Sequence, residues 1–177
     1  NVAQDEDLTF DFHPEIVANH GHWSNYPMTV ARRVARNFGA ELRGANIAFL
    51  SDLPIASGLS SSSAMVVGFF SVLSPVNELA NRPLYQEVIT DQLSLAEYLG
   101  TTENGQSYRK FAGDKGVGTF GGSEDHTAIL CSEPGKLKCF SYAPTTFVRA
   151  VSIPAGYVFV IGSSGVKAEK TGGAQQW

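Results

Sequence analysis

The sequence has no long apolar run and no basic tract, and each absence excludes a class of protein. The longest apolar region, Ala64–Leu73, is interrupted by polar residues and falls short of the roughly 18 residues of a membrane-spanning helix. The net charge is −4, and the one cluster of arginines is small: Arg32, Arg33 and Arg36. Binding to nucleic acid needs a basic stripe along the surface, so we expect neither a nucleic acid nor a membrane as partner.

Cysteine is also scarce. Cys131 and Cys139 flank a predicted turn and could face each other across a hairpin, which makes a disulfide geometrically possible but does not imply one. Two cysteines in a chain of 177 residues are typical of a reduced, cytoplasmic protein. The first residues have neither a basic start nor an apolar core, so they do not form a signal peptide.

The length of 177 residues favours one domain. Hydrophobic residues make up 43% and charged residues 17%, a balance typical of a folded chain. The chain begins without methionine at Asn1, and Trp177 follows no recognisable closing element. We therefore expect residues 1–177 to be a single domain of a longer protein, truncated at both ends.

Apolar patterns predict three helices. Val30, Val34 and Phe38 recur at helical spacing between a capping Asn25 and a terminating Gly39, with the three arginines on a solvated face. Further helices are predicted at Ser60–Leu73 and Leu84–Leu99, the latter closed by Gly100.

Short apolar runs predict strands, and their mixture with helices indicates an α+β domain with a mixed, mostly antiparallel sheet. The polar, glycine-rich stretch Thr101–Gly122 is predicted to be a long loop, and loops of that length are usually functional or mobile. The predicted strands are Leu8–Phe12, Ala45–Leu50, Thr127–Leu130, Leu137–Tyr142, Val148–Ile153 and Tyr157–Ile161.

A glycine- and serine-rich segment precedes the second predicted helix. A helix start offers unpaired N–H groups and the positive end of the helix dipole, and Gly58 lets a phosphate approach the backbone. A linker or an ordinary serine cap is the alternative, but one cap does not require four consecutive serines. The segment is no Walker A loop, because it has no lysine. It comprises Pro54, Ile55, Ala56, Ser57, Gly58, Leu59, Ser60, Ser61, Ser62, Ser63 and Ala64.

The pattern Pro-x-x-x-Gly-Leu-Ser-Ser-Ser in this segment resembles the second motif of the GHMP kinases, the family of galactokinase, homoserine kinase and mevalonate kinase. The resemblance implies that the loop wraps the phosphates of ATP and that one serine helps to hold Mg²⁺. By position that role falls to Ser62, with Ser61 or Ser63 as substitutes because the extra serine leaves the register open.

A second candidate site lies at Gly118–His126. An aspartate after a glycine turn can orient an acceptor hydroxyl and accept its proton, although Gly-Gly-Ser-Glu-Asp is also ordinary turn chemistry. The stretch resembles the Gly-x-Met-Asp-Gln segment with which galactokinases begin a strand. The resemblance implies that Asp125 is the catalytic base and that Gly122 contacts the sugar. Glu124 and His126 depart from that pattern and leave the sugar open.

Glu97 is the third candidate, since the family places a helical glutamate before the base as a Mg²⁺ ligand; a solvated helix carboxylate is the alternative. Two further segments resemble galactokinases, Trp23–Tyr26 and Val158–Val166 with its Ser-Gly-Val ending. The family's first motif, which supplies an arginine and sugar contacts, and its third, glycine-rich motif have no counterpart in the chain.

The resemblance implies the N-terminal ATP-binding domain of a GHMP kinase, similar to domain 2 of ribosomal protein S5, with the C-terminal GHMP domain essentially absent. It implies transfer of the γ-phosphoryl group of ATP, with Mg²⁺, to the anomeric hydroxyl of galactose or a related sugar. The alternatives are a kinase for arabinose, a heptose phosphate or N-acetylgalactosamine, and a non-catalytic sensor of sugar and ATP. We expect the 177-residue chain alone to be inactive and, in the absence of any signal for oligomers, monomeric.

Overall fold

The computed structural model describes residues 5–39, 41–53 and 58–162. Over these residues it shows an α+β fold in which α-helices and one short 3₁₀-helix accompany a two-stranded antiparallel sheet. None of these helices is long and apolar enough to cross a membrane. The helices are α1 (Asn25–Phe38), α2 (Ser61–Val76), the 3₁₀-helix (Leu79–Asn81), α3 (Pro83–Val88), α4 (Gln92–Asn104) and α5 (Glu124–Cys131), and the strands are β1 (Lys136–Ser141) and β2 (Thr146–Ser152).

The core forms where α1 and α2 pack on α4. The predicted helical spacing of α1 is confirmed, since Val30, Val34 and Phe38 are all buried in this core. Phe38 also meets Phe111 edge to face, with ring centroids 5.1 Å apart, so the segment after α4 contributes to the same core. The helix ends at Gly39 as predicted, but its N-cap is Ser24.

The prediction that the arginines of α1 face solvent is wrong for two of the three. Arg32 and Arg33 are buried, and only Arg36 is exposed. The reason is non-local: the chain after α4 returns over this face of α1, and its backbone carbonyls accept the guanidinium hydrogens. A charge on a helix face thus becomes buried when a loop supplies acceptors.

The predicted helix Leu84–Leu99 is two helices. It begins at Pro83, as the proline suggested, but α3 ends at Val88 and α4 restarts at Gln92. A capping box drives the restart, because Asp91 Oδ1 accepts the Ser94 N–H at 2.7 Å and Ser94 Oγ accepts the Asp91 N–H at 3.0 Å.

The predicted stop at Gly100 is also wrong, because α4 continues to Asn104 and closes on Gly105 in the left-handed conformation, at φ 76°. Gly100 is needed for another reason. A Cβ at this position would lie 2.9 Å from both Cα and Cβ of Ser123, so the glycine lets α4 approach the start of α5. The predicted loop Thr101–Gly122 is consequently helical over its first four residues and irregular from Gly105.

We expect Gly100→Ala to lower the free energy of unfolding of the complete protein by up to about 2 kcal/mol. Overpacking costs about 1–3 kcal/mol and outweighs the roughly 1 kcal/mol that alanine gains over glycine in a helix. Gly68→Ala is the matched control, since Gly68 is an exposed helical glycine with nothing within 4 Å of an added Cβ. Urea denaturation should show this control to be neutral or stabilising, and equal effects at the two positions would contradict the close approach.

The predicted strand Thr127–Leu130 is wrong, because these residues lie in α5. The hairpin instead joins β1 to β2, which lie close to the predictions Leu137–Tyr142 and Val148–Ile153. Cys131 is therefore buried at the end of α5 while Cys139 is exposed in β1, and both thiols are free. The two residues flank a turn, but they do not face each other across a hairpin, because Cys131 lies in a helix.

Three other predicted strands are not regular strands: Leu8–Phe12, Ala45–Leu50 and Tyr157–Ile161. Among the described residues none of these segments has a ladder partner, and without hydrogen-bonded pairing an apolar run does not become a strand. The first two line a cleft of about 520 Å³, together with Trp23 and Phe69. Among the described residues, none of the predicted site residues lines this cleft.

Candidate functional site

The N-terminus of α2 has no side-chain cap among the described residues. Ser60 precedes it in the left-handed conformation, with φ 55°, and makes no side-chain hydrogen bond to the first turn. A helix N-terminus that lacks a cap offers backbone N–H groups and the positive end of the helix dipole to an anion. An ordinary cap by the Ser60 side chain, the alternative prediction for this segment, is therefore not formed within the described residues.

The candidate phosphate loop is described from Gly58 onward, and Pro54 to Ser57 lie outside the described residues. Gly58 has φ 77°, a conformation that favours glycine, and it is exposed. The burial of the chain increases into the helix: Leu59 to Ser62 are half-buried and Ser63 is buried.

Ser63 leads to a residue that sequence reasoning missed. Its Oγ donates to Glu103 Oε2 at 2.8 Å, and both groups are buried. His126 Nε2 lies 3.0 Å from the same carboxylate oxygen, out of line for a well-formed hydrogen bond. The side chains of His126 and Glu103 are 2% and 8% exposed. This Ser63–Glu103–His126 cluster joins α2, α4 and α5 at one carboxylate.

The cluster keeps Glu103 ionised. Burial raises its pKa, but His126 and the hydroxyls of Ser63 and Ser62 outweigh burial, so the pKa lies below its usual range. The Glu103 carboxylate also affects α1: burial and then the negative charge of Glu103 raise the pKa of Tyr26. A buried carboxylate beside two serines is therefore present at the start of α2. Sequence reasoning missed Glu103 because it assigned residues 101–122 to a loop, whereas residues 101–104 belong to α4.

Glu97 lies elsewhere. Its Oε2 accepts the hydroxyl hydrogen of Tyr108 at 2.8 Å. Burial and then the Glu97 carboxylate raise the pKa of Tyr108. Within the described residues no contact joins Glu97 to the start of α2, so the glutamate that the structure brings to the serines is Glu103.

Asp125 occupies the first turn of α5, after the N-cap Ser123, and is half-buried. A carboxylate in a first helical turn is stabilised by the helix dipole. Gly122, the candidate sugar contact, is exposed just before this turn. Its carbonyl and that of Gly121 accept the side-chain amide of Asn104, at 3.4 and 2.8 Å, which ties the turn to the end of α4.

The loop that leads to Asp125 is fastened to α1. The Gly116 carbonyl accepts Arg32 Nη2 at 3.1 Å and Thr29 Oγ1 at 3.3 Å, and the Val117 carbonyl accepts Asn25 Nδ2 at 2.9 Å. The backbone N–H of Val117 donates to the Glu103 carbonyl at 2.8 Å. The loop therefore enters the turn before Asp125 from a fixed point beside Glu103.

Within the described residues, no group of three or more His, Cys, Asp or Glu side chains could hold a metal ion by itself. The oxygen donors near α2 are one carboxylate and the serine hydroxyls. Oxygen donors are what Mg²⁺ prefers, and it commonly takes one or two carboxylates together with substrate phosphates. The donor set therefore fits a Mg²⁺ ion brought with a nucleotide.

The chain resembles known proteins over most of its length. Residues 25–107 match the family model of the GHMP kinases N terminal domain, a range that includes the serines of α2 and Glu103. The chain is 27% identical over 158 residues to a galactokinase of Dictyostelium discoideum, covering 88% of this chain and 28% of that protein. It is 28% identical over 164 residues to a galactokinase of Glaesserella parasuis serovar 5 (strain SH0165), covering 89% of this chain and 36% of that protein.

The chain thus spans about a third of the length of these relatives. No solved structure matches it at a significant level. The uncapped serine helix and the buried glutamate beside it lie within the matched range. Residues 25–107 therefore resemble the N-terminal domain of the GHMP kinases, and the resemblance of the chain to galactokinases extends over most of its length.

Proposed function

We propose that the chain is the N-terminal, ATP-binding part of a cytoplasmic sugar kinase that transfers the γ-phosphoryl group of ATP to the anomeric hydroxyl of galactose or a related sugar. The observation that carries the proposal is the Ser63–Glu103–His126 cluster. It joins the uncapped start of α2, suited to phosphates, to α5, which bears Asp125. Phosphoryl transfer requires such a junction, because its catalysis is mostly positioning and electrostatics.

In this proposal the triphosphate of ATP lies at the start of α2. Gly58 lets the backbone come close, and the N–H groups of the first turn, the helix dipole and the hydroxyls of Ser60 to Ser62 bind phosphate oxygens. Pro54, Ser57 and Leu59 complete the loop. The negative charge of Glu103 beside this site would repel the phosphates unless a cation lay between them, which favours a nucleotide bound with its metal.

Ser62 and Glu103 would hold Mg²⁺, and the hydrogen bond from Ser63 would orient the Glu103 carboxylate. We propose Glu103 for this role in place of Glu97, whose carboxylate is engaged by Tyr108. When bound, Mg²⁺ offsets the negative charge that develops on the phosphoryl oxygens.

Asp125 would act on the acceptor. From the first turn of α5, its carboxylate can accept a hydrogen bond from the sugar's anomeric hydroxyl, orient the hydroxyl oxygen towards the γ-phosphorus and take the proton as the new O–P bond forms and the bond to ADP breaks. Gly122, exposed before this turn, would allow the sugar to approach the backbone. The products would be a sugar 1-phosphate and ADP.

The proposal concerns the complete protein. Since the chain spans about a third of its relatives, we propose that the remaining sugar contacts lie in the rest of that protein. The 177 residues alone are then expected to bind sugar poorly and to turn over little. Detectable galactose phosphorylation by the isolated chain would contradict this division.

The test is an ADP-release assay on the complete protein with Mg²⁺-ATP. The acceptor panel is galactose, arabinose, N-acetylgalactosamine, a heptose phosphate, homoserine and mevalonate. We expect release that depends on a sugar. Release with homoserine or mevalonate would overturn the sugar assignment while keeping the kinase, and nucleotide binding without release for any acceptor would favour a sensor.

A further inference from the structure

His126 is the member of the Ser63–Glu103–His126 cluster that has no role in the proposed reaction. It lies one position after Asp125, but its side chain turns inward and is almost fully buried, while Asp125 is half-buried. A buried imidazole must find a polar partner or pay for desolvation. Its Nδ1 makes no hydrogen bond within the described residues, so the carboxylate of Glu103 is its polar neighbour there.

A serine, a histidine and a glutamate in one cluster could form the catalytic triad of a hydrolase, but the order of their contacts excludes this. In a hydrolase triad the imidazole lies between the serine and the carboxylate and removes the serine proton. Here Ser63 Oγ donates to Glu103 Oε2, and His126 approaches the same oxygen from the other side. The carboxylate is the centre of the cluster, and the serine is not activated as a nucleophile.

Both neighbours therefore act on Glu103. They meet at Oε2 and leave Oε1 outside both contacts. Within the described residues no lysine or arginine forms an ion pair with this carboxylate, so His126 is its basic neighbour there. The hydrogen bond from Ser63 and the close approach of His126 at one oxygen restrict the rotamers of this carboxylate, as the neighbours of a metal-binding carboxylate do.

From this geometry we propose that His126 is a positioning residue, which holds Glu103 so that the carboxylate meets the cation of the nucleotide, and which couples that carboxylate to the helix of Asp125. The proposal rests on the proposed function, because it needs Glu103 to bind the cation. It requires an N–H donor of about this length at position 126, whatever its charge. Glutamine satisfies the requirement and leucine, of similar volume, does not.

The experiment measures Mn²⁺ binding to the complete protein with a non-hydrolysable ATP analogue, by the electron paramagnetic resonance signal of free Mn²⁺. Disturbing the partner of a metal ligand typically weakens metal affinity about 10- to 100-fold. We therefore expect about tenfold or weaker Mn²⁺ binding for His126→Leu and a change of less than about threefold for His126→Gln. In turnover assays His126→Leu should raise the Mg²⁺ concentration for half-maximal rate more than it lowers kcat.

Thr127→Val is the matched control. Thr127 is the next residue of α5, is fully buried, and its Oγ1 makes no hydrogen bond within the described part of the chain, so its substitution perturbs the packing of α5 but not Glu103. It should leave Mn²⁺ affinity unchanged. If His126→Leu does not fold, His126→Ala is measured with and without added imidazole, which should restore Mn²⁺ binding by filling the same space.

The outcomes separate the two proposals. If the wild-type protein binds Mn²⁺ with nucleotide, two results would overturn the positioning role. One is a Mn²⁺ affinity of His126→Leu equal to that of the wild type. The other is a loss of Mn²⁺ affinity in Thr127→Val and His126→Gln as large as the loss in His126→Leu. A wild-type protein that binds no Mn²⁺ with nucleotide would overturn the proposed function and this inference together.

Discussion

Replacing Asp125 with asparagine is expected to lower kcat of the complete protein by about 10²- to 10⁴-fold, the usual contribution of a positioned acid or base. Asparagine keeps the size of the side chain but cannot accept a proton. The binding of ATP should change little, because the phosphates are assigned to the start of α2. Nucleotide affinity measured by calorimetry beside the rate of ADP release would show this separation.

Glu124→Gln is the control for this prediction. Glu124 is in the same first turn of α5 and bears the same charge, but it is exposed and has no assigned role. Its kcat should stay within about threefold of wild type, since a surface carboxylate adds little to a neighbouring site in water. A loss of turnover in both variants would point to the charge of the turn, and full activity of Asp125→Asn would remove Asp125 from the reaction.

The parts of the fold that local pattern determines were predicted well. α1 and α2 appear close to their predicted bounds, because helical spacing and terminal glycine or serine signals act over a few residues. The α+β class followed from the same patterns. The strands failed where pairing decides the outcome, since Leu8–Phe12 and Ala45–Leu50 have no ladder partner among the described residues.

The site shows the same division. The start of α2 was predicted as a candidate anion site from one contiguous segment, but the glutamate beside it was not predicted. Glu97 and Glu103 stand six positions apart on α4, which leaves them about 120° apart around the helix axis, so they face different neighbours. Choosing between them required knowing that α4 passes Gly100, a glycine that the sequence presents as a stop and the structure uses as a close contact with Ser123.

The burial of Arg32 could not be predicted either, because its partners come from a distant loop. Arg32 Nε donates to Asp114 Oδ2 at 2.7 Å, and the two side chains are 6% and 1% exposed. Asp114 Oδ1 also accepts the Gly116 N–H at 2.8 Å. Arg32 therefore holds both the carboxylate and, through the Gly116 carbonyl, the backbone of the loop that leads to Asp125.

We expect Asp114→Ala to lower the free energy of unfolding by about 3–5 kcal/mol, because removing one partner leaves a buried guanidinium without its counter-charge. Denaturation of the complete protein by urea, followed by circular dichroism, measures this. The matched control is Glu15→Gln, which breaks an exposed ion pair between Glu15 Oε1 and Nη1 of Arg36, another arginine of α1, at 3.9 Å. This substitution should lower the free energy of unfolding by at most about 1 kcal/mol.

The double variant Arg32→Met, Asp114→Ala decides whether the charge itself is the cause. If the uncompensated guanidinium accounts for the loss, removing it should recover part of the stability, since a buried pair replaced by apolar groups is often neutral. Recovery will be incomplete, because Arg32 also donates to the carbonyls of Gly116 and Ile16. If the double variant loses, relative to the wild type, the sum of the stability losses of the two single variants, the two residues act independently and the ion pair does not hold the loop.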